Sequence, residues 1–162
     1  MGALLSEHVQ REGTPAMVKS AGFTTGGEPP TEPTVRFLAT RGIEVGDYVS
    51  HWMTRSSVDG ADLIVTAEQD HVVAIAGRWP ESFGHTFTLP ELVDRATTIG
   101  PRDGRSFHEW LAAVNNGRPT ADEYLATEVG QIADPTGGPP AGWSTCFTEI
   151  DDLAARLAVL LA

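Results

Sequence analysis

The chain has 162 residues, a hydrophobic content of 41% and a formal charge of −11, with a pI near 4.7. That length and apolar content suit one compact core and are too short for two comfortable ones. The acidic balance argues against a nucleic-acid partner, because such binding needs Lys and Arg to neutralise phosphates, but it leaves open a small anion site built from backbone N–H groups. The single cysteine, Cys146, cannot form an internal disulfide or a thiolate metal cluster, and it suggests a reduced, cytoplasmic setting. No run approaches the length of a membrane span, and the short apolar N-terminal run lacks the basic lead-in of a signal peptide, so no membrane partner is expected.

In chain order, Leu4, Leu5, His8 and Val9 fall at helical spacing and predict an amphipathic helix over 2–12. Residues 16–22 read as a short strand, followed by a Thr/Gly/Pro loop over 24–30. A helix over 33–40 is expected, with Val35, Leu38 and Ala39 inward and Gly42 ending it. The continuous apolar run 61–66 predicts a parallel strand buried on both faces. A helix over 68–76, a strand over 85–89 and a helical turn over 90–95 follow. Helices are expected over 107–114 and 121–129, within a stretch (97–130) that reads as the one candidate insertion. The chain closes with a helix over 146–161, where Phe147, Ile150, Leu153, Ala154, Leu157 and Leu160 form one apolar stripe. Strands alternating with helices give a single α/β domain with a small parallel sheet flanked by helices on both faces.

Several segments, in this order, resemble the low-molecular-weight protein-tyrosine-phosphatase family. Met1-Gly2-Ala3-Leu4-Leu5 resembles the start of the helix that follows its phosphate loop, and Val18-Lys19-Ser20-Ala21-Gly22 its second strand with a Ser-Ala-Gly signature. Arg41-Gly42-Ile43-Glu44-Val45 and Ser50-His51-Trp52-Met53-Thr54 resemble a turn and the Ser/Thr-rich stretch beyond it. Ala61 to Val65, with Glu68 and His71, resembles the third strand and the helix after it. Ala133-Asp134-Pro135-Thr136-Gly137-Gly138 resembles the Asp-Pro loop. The resemblance implies the phosphotyrosine phosphatase I-like fold and hydrolysis of a phosphorylated protein or a small phosphoester, without a cofactor.

In that family the nucleophile is a cysteine in a Cys-x5-Arg loop, a thiolate activated by a helix N-terminus and a cation. The sequence holds no such loop. It would lie just upstream of Met1 together with the central first strand, so the domain is expected to be N-terminally truncated and inactive as written. With that strand gone, exposed strand edges are expected to make the chain insoluble or self-associated. Cys146 is no substitute: no arginine follows at the sixth place, and Glu149, Asp151 and Asp152 would repel a phosphate. The residue role that the resemblance does carry over is Asp134, as general acid to the leaving oxygen. The family's aromatic pocket walls fall here on Thr136 and approximately on Thr25-Gly26, which weakens the case for phosphotyrosine, although Tyr48 and Trp52 stand where they could face the site. The five histidines show no metal-ligand spacing, so no metal is expected. Two alternatives stay open: a non-catalytic phosphatase-like binding or regulatory module, and an arsenate-reductase-type protein, for which a single cysteine is too few.

Overall fold

The structure, a computed structural model, describes residues 1–23 and 26–162. Its elements in order are α1 (Gly2–Arg11), α2 (Glu32–Thr40), α3 (Arg55–Asp59), β1 (Ile64–Thr66), α4 (Gln69–Arg78), a 3-10 helix (Pro80–His85), β2 (Thr86–Thr88), α5 (Leu89–Ile99), α6 (Phe107–Asn115), α7 (Ala121–Tyr124) and α8 (Pro140–Leu161). β1 and β2 pair in parallel, with Ile64 opposite Thr86 and Thr66 opposite Thr88, and α4 makes the crossover between them. Parallel neighbours need such a crossover because the chain must return to its starting end before pairing.

Alternation along β1 sorts the core into two layers, since successive side chains leave opposite faces of a strand. Leu63 and Val65 pack with Phe87 into the main core, built from α1, α5 and α8. Ile64 points the other way, against Val58 of α3 and Ile75 and Trp79 of α4 or its end. Helices therefore cover both faces of the small sheet. α8 carries the main core with Cys146, Ile150, Leu153, Ala154, Leu157, Ala158 and Leu161 buried along one side. Leu4 and Val9 of α1 pack into the same cluster. Each large apolar side chain so buried contributes ~1.5–3 kcal/mol.

Local sequence explains the helix starts. Thr54 and Ser106 each cap a helix through a reciprocal pair with the residue three on, Ser57 and Glu109. Thr88 accepts the Glu91 N–H at 3.2 Å and begins α5 as soon as β2 ends. α5 runs a full turn past the expected 95, because Leu92, Val93 and Ala96 continue one buried face as far as Gly100.

Several expectations are corrected. In α2 only Leu38 is buried, while Val35 and Ala39, expected inward, are exposed because no described element packs over that side of the helix as it does over Leu38. Residues 16–21 form no strand: among the described residues no chain lies beside them to exchange main-chain hydrogen bonds, and only Gly22 makes a bridge, to Trp52. β1 is shorter than 61–66, and Leu63, Ile64 and Val65 are half-buried, because β2 occupies one of its edges and no described strand the other. The helix expected over 121–129 stops at Tyr124, since Gln69 Nε2 donates to the carbonyls of Tyr124 (2.6 Å) and Thr127 (3.0 Å). The 97–130 stretch is part of the core, supplying the fully buried Trp110 and Tyr124.

Candidate active-site face

Asp134 reaches its place through a chain of tethers to the sheet. The Ile132 N–H donates to the Ala67 carbonyl at 2.9 Å, just beyond the end of β1, and the Ile132 side chain is buried. Thr88, the last residue of β2, donates its hydroxyl to the Gly130 carbonyl at 2.5 Å. The Gln69 N–H donates to Gln131 Oε1 at 3.2 Å. The Asp-Pro loop therefore stands over the carboxyl ends of both strands, the end of a parallel sheet where α/β proteins bind ligands.

The loop is folded as a turn. Asp134 Oδ1 accepts the Thr136 N–H at 2.9 Å, and the Gly138 N–H donates to the Pro135 carbonyl at 3.1 Å. Asp134 itself is exposed to solvent. The Thr136 N–H, and after it the Thr136 hydroxyl, hold its carboxyl below the ordinary aspartate value, with a smaller push in the same direction from His71. Those bonds favour the charged form. A proton donor needs the opposite, and the dianionic charge of a bound phosphate would supply it by repulsion.

His71 brings a second loop to this face. It sits in the first turns of α4, and its ring stacks on Phe23 with centroids 5.7 Å apart. Phe23 follows Gly22, whose N–H donates to the His51 carbonyl and whose own carbonyl accepts the Met53 N–H, both at 2.8 Å. Next to it, Ser20 and the Tyr48 hydroxyl share a 2.6 Å hydrogen bond, and Ser20 lies against the first turn of α1 at Gly2. Trp52 is 55% exposed and lies against Gly26, where a Cβ would meet its ring carbon Cδ1 at 2.8 Å. Any other side chain at Gly26 would force the indole to shift.

Of the residues singled out in the sequence, Asp134 is an exposed turn residue bonded to the Thr136 N–H. Tyr48 ties its hydroxyl to Ser20, and Trp52 covers Gly26. Thr25 lies outside the described residues. Phe23 and the His71 side chain are the neighbours that sequence reasoning missed as a pair; nothing local links two residues so far apart in the chain. Cys146 is buried within the α8 core. Burial pushes its thiol above the ordinary value, the Met1 ammonium opposes this, and Glu149 and Asp134 add to it. A thiol held neutral is a poor nucleophile. Among the described residues, no three His, Cys, Asp or Glu side chains are grouped to hold a metal.

Comparison with known proteins places this geometry. No curated protein matches the sequence. Among solved structures, a YwlE mutant from Bacillus subtilis is 23% identical, with 97% of this chain and 84% of that chain covered and a TM-score of 0.68. The YwlE arginine phosphatase from Geobacillus stearothermophilus is also 23% identical, with 97% and 82% covered and a TM-score of 0.65. A low molecular weight protein tyrosine phosphatase from T. tengcongensis is 20% identical, with 96% and 85% covered and a TM-score of 0.70. At such identities the likeness speaks for the fold alone. A family model, low molecular weight phosphotyrosine protein phosphatase, matches residues 2–100, more than half of the chain. By that match the chain belongs to the low molecular weight phosphotyrosine protein phosphatase family.

Proposed function

We propose that residues 1–162 form one phosphatase-family domain that presents a phosphorylated protein or a small phosphoester to Asp134 as general acid, and that they do not complete the hydrolysis alone. The observation that carries the first half is the tethered Asp-Pro loop over the carboxyl ends of β1 and β2 in a chain of this family. The second half rests on chemistry. Displacement at phosphorus needs a nucleophile, and the one thiol in the chain is buried in α8, protonated, and without a Cys-x5-Arg cradle. The solved relatives are named both arginine phosphatase and tyrosine phosphatase, so the substrate is left at the level of a phosphorylated protein or a small phosphoester. The single unpaired cysteine supports a cytoplasmic setting. No described helix is long and apolar enough to cross a membrane.

The test is turnover of p-nitrophenyl phosphate by residues 1–162. Release of nitrophenol at the buffer rate is expected. Clear turnover that vanishes in Cys146→Ser would overturn the proposal and make Cys146 the nucleophile.

A second reading, a non-catalytic phosphatase-like binding or regulatory module, is favoured over catalysis by one observation: the Thr136 N–H bonds to the Asp134 carboxyl and favours its charged form, not the protonated form a general acid needs. The two readings part on phosphoprotein binding without turnover by a chain supplied with the nucleophile loop. The module reading requires it, and the hydrolase reading forbids it.

A further inference from the structure

Between the buried Tyr124, which ends α7, and Asp134, the chain over 125–131 runs largely exposed, as a strap. The Asp-Pro turn does not place itself. Its bonds, from the Thr136 N–H to Asp134 and from the Gly138 N–H to the Pro135 carbonyl, stay within 134–138 and set only its shape. Where the Asp134 carboxyl stands over the sheet is decided by the chain to either side, α8 after the turn and the strap before it.

Gln69 grips the strap at both ends. Its side-chain amide carries two N–H groups. It donates to the carbonyls of Tyr124 at 2.6 Å and Thr127 at 3.0 Å, just where α7 stops and its last carbonyls lack intrahelical partners. At the far end the roles reverse. Gln69 opens α4, so its main-chain N–H has no partner inside that helix. Gln131 Oε1 accepts it at 3.2 Å. Each glutamine thus satisfies a helix end, Gln69 that of α7 and Gln131 that of α4. Close neighbours reinforce the grip. Ile132 donates its N–H to the Ala67 carbonyl at 2.9 Å, and Gly130 lies so near Pro90 that an added Cβ would meet the Pro90 Cβ at 2.9 Å. His71 follows Gln69 in the first turn of α4 and is near enough to lower the Asp134 carboxyl.

We propose that Gln69 is a positioning residue for Asp134: by holding Tyr124, Thr127 and Gln131 together it fixes the strap against the exit of β1 and sets where the Asp-Pro turn stands. The role rests on Asp134 being the general acid.

The test uses the full chain with Gln69→Met, which keeps the length and removes the donors, and Gln69→Glu, whose carboxylate only accepts. Amide hydrogen exchange followed by NMR should be roughly tenfold faster at Ile132 in both, with the buried-core amides of Leu92 and Trp110 unchanged. In Gln69→Met the Asp134 carboxyl titration should also move upward, because the turn is no longer held near His71. A loss of stability alone would leave that titration in place. Should the Gln69 variants lose protection throughout, Gln131→Leu carries the test, since it changes an exposed side chain. A smaller rise at Ile132 and the same upward movement are then expected. Unchanged exchange at Ile132, or an Asp134 titration that stays where it is, would overturn the role. The general-acid reading fails separately, through Asp134→Asn slowing every leaving group alike, and that result leaves the exchange comparison untouched.

Discussion

At the scale of single residues, two side chains carry opposite electrostatic demands. Asp134 is exposed and charged, so replacing it by Asn should alter folding stability by less than about 0.5 kcal/mol, as at other surface positions. Its chemical effect should be far larger. In a chain carrying a Cys-x5-Arg loop ahead of Met1, Asp134→Asn should slow hydrolysis of phenyl phosphate by roughly 10²–10⁴-fold and that of activated esters by less, since only poor leaving groups need a proton. Equal slowing of both, measured as kcat across a leaving-group series, would assign Asp134 a structural role. His85 is the reverse case, a base whose folded value is depressed by burial. Its contribution to stability is present above the ordinary histidine value of 6.5 and is lost as pH falls through the lower folded value, because the unfolded chain then binds the extra proton. The melting temperature should fall between neutral pH and pH 5, and His85→Gln should flatten that part of the profile. An unchanged profile in the variant would mean that His85 takes no part in it.

Among elements, one ion pair joins α5 to the loop before α7. The Arg118 guanidinium donates to Glu91 through Nε at 2.8 Å and Nη2 at 3.1 Å, and to the carbonyls of Phe83 and Thr86 at 2.7 Å. The rings of Phe83, Phe87 and Tyr124 surround it, with centroids 4.0–4.8 Å away. Glu91 also accepts the Tyr124 hydroxyl at 2.6 Å. Burial, and then the Glu91 hydrogen bond and charge, push that phenol well above its usual range. The Arg118 side chain is only 1% exposed, so its charge is affordable only while fully paired. Arg118→Ala would leave Glu91 buried with half its partners gone, and should cost about 3–5 kcal/mol in urea unfolding. Arg118→Lys should recover little, because an ammonium cannot make the fork or the stacking. Recovery of most of the stability by lysine would show that charge alone matters there. On the other side of the core, Asp151 of α8 joins α1 and α2 by bonds to His8 (2.8 Å) and Arg41 (2.6 Å).

For the molecule as a whole, the sheet is the weak point. Among the described residues β1 has a hydrogen-bonded neighbour on one side only, and the extended segment 14–21 leaves Met17 80% exposed. Unpaired strand edges template pairing with other chains. We propose that residues 1–162 self-associate through these edges, and that size-exclusion chromatography with light scattering will find dimers or larger species that dissociate on dilution. A Met17→Lys substitution at the extended segment should shift the equilibrium toward monomer, as charges on edges do in natural sheets. A monomer at every concentration, melting cooperatively, would overturn the proposal.

Much of the architecture was legible in the sequence because it is local. The apolar periods of α1, α4 and α8 and the β–α–β order around 61–89 depend on near neighbours and determine the α/β class, whereas α2 buries only Leu38 of the three residues expected inward. The Asp-Pro loop was legible in the same way, as a pattern of adjacent residues. What only the tertiary structure decided depends on partners distant in the chain. Residues 16–21 have strand composition and no strand, since a strand exists only beside a hydrogen-bonding neighbour. The helix after Ala121 ends early because Gln69 takes its carbonyls. Phe23 meets His71 through a contact that no periodicity encodes. Short-range physics thus determined which elements form, and long-range pairing decided where they end and which side chains share a site.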